Sequence, residues 1–219
     1  MGTVIGDLLP LAVGVSISPI PLVAAILMIL SKNASAAAGG FASGWTAGIV
    51  LATVVFAVLA GVIGLSGDSE PGGAAAWMKI GLGLLLLAVA VAQWGHRADT
   101  AEPGWMRGID RITAGKAVLL GATLAAVNPK NLLLCASAGV AVGASGLGVG
   151  AQTVAVVVFT VLAAASVLGV VVGYAVAADR LRGTLDRARA WLEANNHVVM
   201  AIVLSLMGAV VLGKGIGGL

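Results

Sequence analysis

Residues 8–30 read LLPLAVGVSISPIPLVAAILMIL, and residues 117–142 read AVLLGATLAAVNPKNLLLCASAGVAV. Each run is long and apolar enough to cross a bilayer. Each is also interrupted near its centre by a proline-centred polar motif, Ser18-Pro19-Ile20-Pro21 in the first and Asn128-Pro129-Lys130-Asn131 in the second. Breaking a helix at the membrane midplane frees backbone groups that lipid cannot satisfy. Such breaks are tolerated only where protein or a water-filled cavity surrounds them. A matched pair, one in each half of a chain, is the best sequence pointer to the binding site of a transporter.

Composition points the same way. The chain has 219 residues, 60% of them hydrophobic and 10% charged, with a mean hydropathy of +1.09. A soluble domain carries about 25% charged residues. The single cysteine, Cys135, sits in an apolar run without a partner, so neither a disulfide framework nor a Cys-rich metal site is expected. The first charge is Asp7 rather than a basic n-region, and the first apolar run is therefore expected to be a retained helix. A pI near 9.4 invites thoughts of nucleic acid. The basic residues lie instead in short joints between apolar spans, which fits membrane topology and predicts no nucleic-acid partner.

Six spans of about 20 residues each fit the hydrocarbon thickness. They are Leu8–Leu30, Gly40–Leu65, Ala74–Gln93, Ala117–Val142, Val149–Ala177 and Asn195–Gly213. Joints one, three and five carry Lys32; Arg97, Arg107, Arg111 and Lys116; and Arg180, Arg182, Arg187 and Arg189. These are nine of the 12 Lys and Arg; Lys79 and Lys214 lie on the opposite side, and Lys130 is within the fourth span. The positive-inside rule then places these three joints in the cytoplasm and both termini outside.

Three spans precede the long third joint and three follow it. An odd number of spans inverts the second set relative to the first, predicting two inverted three-helix repeats, 1–95 and 117–219, joined by a cytoplasmic linker at 96–116. Sliding the chain by 110 residues brings Ser18-Pro19 onto Asn128-Pro129, Pro21 onto Asn131, Ser35 onto Ser145 and Gly40 onto Gly150.

Pro19 and Pro21 remove two backbone donors and free carbonyls around residues 15 to 17, next to Ser16 and Ser18. Pro129 frees carbonyls near Ala125, with the amides of Asn128 and Asn131 close by. Lys130 lies 14 residues beyond Lys116, or about 21 Å along a helix, too deep to reach the cytoplasmic face easily. A charge at that depth costs at least a few kcal/mol and normally marks function; the competing reading is a lysine packed on freed carbonyls as structural glue. The substrate-binding candidates are thus Ser16, Ser18, Pro19, Pro21, Asn128, Pro129, Lys130 and Asn131.

All nine acidic residues, from Asp7 to Glu193, fall in joints or at span ends. The spans offer no carboxylate cage for a hard cation and no acidic proton relay. His96 and His197 lie at the water boundary, and no clustered acids, bases or nucleophiles suggest catalysis. No cofactor is expected. A buried cation without a buried anion points to an anionic group on the substrate.

Gly40, Gly44 and Gly48 share one stripe, and Gly139 with Gly143 repeats the spacing; small residues at this interval let helices approach closely. Trp45, Trp77, Trp94 and Trp105 fall near the expected interfaces, as an aromatic belt would. Within joint five, Leu181, Leu185, Ala188 and Leu192 recur at helical spacing, predicting a short amphipathic cytoplasmic helix near 179–193. Its Arg180, Arg182, Arg187 and Arg189 form a candidate surface for anionic lipid headgroups, at about 1 kcal/mol each. The alternative is a topology determinant without a specific ligand.

The Ser-Pro-x-Pro of the first span, the Asn128-Pro129-Lys130-Asn131 of the fourth, the six-span plan and the Gly/Ala/Val-rich composition resemble the lysine-exporter (LysE) superfamily. Within it the chain is most similar to the GAP family, the glycolipid- and sulfolipid-addressing proteins of mycobacterial-type envelopes. The resemblance covers the whole chain. It implies a multi-pass inner-membrane protein that moves envelope glycolipids, often beside a large RND-type lipid transporter. Ser-Pro-Ile-Pro replaces the Pro-Gly-Pro typical of the amino-acid exporters, which weakens any transfer of an amino-acid substrate. The expected function is outward movement of a glycolipid or other anionic lipid, with membrane lipids and that cargo as partners. The alternatives are export of a small amphipathic solute and a non-transporting scaffold that recruits a larger exporter. A homo-oligomer is allowed but not required by the sequence.

Overall fold

The computed structural model describes residues 1–31, 33–63, 73–97 and 112–219, apart from the side chains of 75 and 177–182. The described residues form seven α-helices: α1 Gly2–Ser16, α2 Pro19–Leu30, α3 Ala34–Val62, α4 Ala74–Gly95, α5 Ala114–Ala126, α6 Pro129–Gly143 and α7 Val149–Ile216. The molecule is all-helical, with four long apolar stretches and two bent pairs that make up to six spans. The bends fall at the two motifs, 52° between α1 and α2 and 65° between α5 and α6. The cause is the same in both. Pro19 and Pro129 each occupy the first position of the following helix, where a missing N–H costs nothing. Within a continuous helix the same residues would each remove a hydrogen bond.

Glycine sets how closely α3 packs on the broken α5–α6 span. A methyl group at Gly44 would overlap the backbone carbonyl of Val118 on α5, and one at Gly143 on α6 would overlap that of Ala57 on α3. The small-residue stripes expected from the sequence are thus close-approach surfaces, where van der Waals contact between backbones replaces the hydrophobic force that lipid removes.

The last two spans are present as expected, as the apolar stretches Val149–Val176 and Gly183–Ile216, but they are joined differently. Residues 149–216 are helical without interruption, so the amphipathic segment near 179–193 is not a separate element but merges with the sixth span. The last proline in the chain is Pro129, and nothing beyond Gly183 supplies a strong helix stop until the terminal glycines. Even so, α7 doubles back on itself. Met207 packs at Gly14 of α1, whereas Ser166 bonds the carbonyl of Ser16, two residues further along α1. A straight helix would hold Ser166 and Met207 about 60 Å apart. The apolar arms Val149–Val176 and Gly183–Ile216 therefore lie side by side against α1.

Trp45 corrects a second expectation. It is fully buried rather than interfacial, because Gly44 and Gly48 draw α5 in against its face of α3. Trp77 and Trp94 are exposed, as a belt requires, and Trp105 lies outside the described residues.

Candidate functional site

The break in each span leaves carbonyls without their i+4 partners, and three of them find other donors. Val15 would have bonded residue 19, a proline; its oxygen instead accepts from the Ser18 N–H at 3.2 Å. The Ser16 carbonyl accepts from the Ser166 hydroxyl of α7 at 2.6 Å. In the second break the Asn131 amide donates to the Leu124 carbonyl at 3.0 Å. Asn128 caps α6, its Oδ1 accepting from the Lys130 N–H at 3.1 Å. These partners satisfy backbone groups that would otherwise each cost several kcal/mol in a hydrocarbon medium.

The two breaks meet. Lys130 is 1% exposed, and its Nζ donates to Ser18 Oγ at 2.9 Å. The same hydroxyl donates to Asn131 Oδ1 at 2.7 Å. A continuous chain of hydrogen bonds thus runs from the amine of Lys130 through Ser18 and Asn131 to the end of α5, joining residues more than 110 positions apart. The N-termini of α2 and α6 both begin at this point, each with an N-cap and a proline. Helix N-termini carry partial positive charge. Among the described residues the ion pairs are Arg189–Glu193 and Lys214–Asp7, so the amine of Lys130 is held by a hydroxyl and not by a carboxylate.

Not every candidate joins this cluster. Ser18, Pro19, Pro21, Lys130 and Asn131 are buried at it, and Asn128 is half-buried beside it. Ser16 contributes its backbone carbonyl. Pro129 is exposed, so the two prolines do not face each other across the protein. Pro129 sits one position before Lys130, and turning the lysine inward rotates its neighbour out. Ser166 was not found by sequence reasoning, although the single serine of an apolar span was the available signal. In the arginine segment, Arg189 pairs with Glu193 at 2.8 Å, and exposed Arg187 bonds the Gly183 carbonyl at 3.0 Å. The side chains of Arg180 and Arg182 lie outside the described residues.

The network predicts a measurable coupling. Ser18→Ala strips the Lys130 amine and Asn131 Oδ1 of their shared partner and is expected to cost about 1–3 kcal/mol of stability. In a Lys130→Met background the same change is expected to cost less, because one of the two orphaned groups is gone. Unfolding in mild detergent measures the cycle; strictly additive losses would mean that the hydrogen bonds contribute nothing jointly.

Fold and site together define a multi-pass helical membrane protein with two broken spans that converge on a buried lysine. The family model of Sap, the sulfolipid-1-addressing protein, matches residues 8–217, and the chain belongs to that family. No curated protein and no solved structure matches it.

Proposed function

We propose that the protein moves an anionic envelope glycolipid outward across the inner membrane, and that Lys130, Ser18 and Asn131 receive its acidic headgroup. The observation that carries this reading is the Lys130 amine, buried where two helix N-termini begin and bonded to a hydroxyl. A sulfate, phosphate or carboxylate offers what Ser18 does not, a charge to match. Half-helices with N-termini directed at an anionic group are a recurrent transporter device. Membership of a family described as sulfolipid-1-addressing favours a sulfated glycolipid over an amino acid.

The paired breaks support the inverted-repeat reading of 1–95 and 117–219, and the family resemblance supports a larger RND-type exporter as partner. The direction of transport rests on orientation. With joints one, three and five in the cytoplasm, a cysteine placed at Ser69 is expected to react with an impermeant thiol reagent added to intact cells, and one at Thr100 is expected not to. The opposite labelling pattern would reverse both the orientation and the direction. The function itself is tested by flipping of a labelled sulfated glycolipid in vesicles containing the purified protein alone. A scaffold that only recruits an exporter gives no flipping there.

A further inference from the structure

A second polar cluster lies away from the central site. Lys79 of α4 and Lys214 of α7 are the two basic residues that the sequence leaves outside both the charged joints and the fourth span. The fold brings them together with Asp7 of α1 around a single cavity of about 20 Å3, whose walls include Leu11, Ser137 and Val211. Lys214 Nζ donates to Asp7 Oδ1 at 2.7 Å, each side chain about one-third exposed. Among the described residues Lys79 has no ion pair. Two lysines and one carboxylate therefore line the cavity, and the cluster carries surplus positive charge.

Its position matters as much as its charge. Asp7 precedes Ser18 by 11 residues, about 16 Å of helix and half the hydrocarbon thickness. Ser137 follows Lys130 by seven residues on α6, about 10 Å further towards the same end of the bundle. The cavity thus stands between the Lys130 cluster and the end of the protein where α1 begins and α7 finishes. At about 20 Å3 it has room for roughly one water. No tetrahedral anion fits while the Asp7 carboxylate is in place.

We propose that Lys79 and Lys214 form a second anion-binding site, for the sulfate, phosphate or carboxylate of a lipid headgroup, held closed in this structure by Asp7. The carboxylate stands where the ligand anion would bind, so an arriving headgroup displaces it from Lys214 and opens the cavity towards Ser137. The use of this site as an exit station rests on the transport function proposed above; the site itself does not.

The test places a single cysteine at Ser137 in a Cys135→Ala background and measures its labelling by an impermeant thiol reagent in vesicles. Asp7→Asn is expected to raise the labelling rate roughly twofold to fivefold, the range over which a part-exposed ion pair can hold a gap closed. Lys214→Gln is expected to do the same, and Asp7→Glu to stay near wild type. In the Asp7→Asn protein, octyl sulfate is expected to slow labelling, and Lys79→Gln to remove that protection. Protection by octyl sulfate but not inorganic sulfate identifies a lipid headgroup as the ligand; equal protection identifies a free anion at the same site. Unchanged labelling in both Asp7→Asn and Lys214→Gln, or protection that survives Lys79→Gln, overturns the proposal. Lys130→Met is expected to leave all of these rates unchanged, so failure of the central site and failure of this one are read separately.

Discussion

Replacing Lys130 by methionine is expected to lower transport by at least about 100-fold while leaving insertion and folding intact. Methionine keeps much of the apolar stem and deletes the charge. Losing one partner of a buried, hydrogen-bonded charge pair costs about 2–5 kcal/mol, and 2.8 kcal/mol already corresponds to about 100-fold. Lys130→Arg is expected to keep part of the activity. Its charge remains, but the planar guanidinium presents a fixed fork in place of three rotatable donors, in a position where Nζ already meets Ser18. An amine that only packs against freed backbone predicts the reverse order. Methionine would then be tolerated or even stabilising, since no buried charge would need a partner. Transport rate per amount of folded protein in the membrane separates the two.

The second large effect concerns folding, and α3 supplies its own control. A methyl group at Gly44 would overlap the Val118 carbonyl, whereas one at Gly39 meets nothing within 4 Å. Gly44→Ala is therefore expected to force α3 and α5 apart and to cost about 1–3 kcal/mol or more. The neighbouring close contacts at Gly48 and Gly121 would be disturbed with it. Gly39→Ala is expected to be neutral or stabilising by up to about 1 kcal/mol, because alanine favours helix over glycine. The readout is the fraction of protein that remains monodisperse in mild detergent after heating. Equal losses at both positions would show that the effect belongs to the helix and not to the α3–α5 contact.

Local chemistry made much of this protein legible from its sequence. Proline acts on its own backbone and the residue four before it, so Pro19 and Pro129 located both bends within a residue or two. The glycine stripes on α3 and α6 follow from helical periodicity, and they too mark surfaces the structure packs closely. Pairings between distant segments were another matter. Nothing local says that the Lys130 amine ends on Ser18, or that Ser166 of α7 completes the carbonyl of Ser16. The exposure of Pro129 and the burial of Trp45 depend on how each helix is rotated about its axis, which a proline or a tryptophan does not fix alone. The arginine-rich joint separates the last two apolar spans as expected, but its helical segment runs on into both of them. Charge changes the solvent a helix prefers without stopping it, and residues 184–207 contain neither glycine nor proline.

Recognition of an anion on the cargo by Lys130 is the core of the proposed function. The most direct measurement compares two labelled glycolipids that differ only by one sulfate, in vesicles containing the purified protein and no other exporter. The sulfated lipid is expected to be flipped and its unsulfated counterpart not, and Lys130→Met is expected to abolish the difference. Equal rates for the two lipids, or a preference for the sulfated one that survives Lys130→Met, would contradict it.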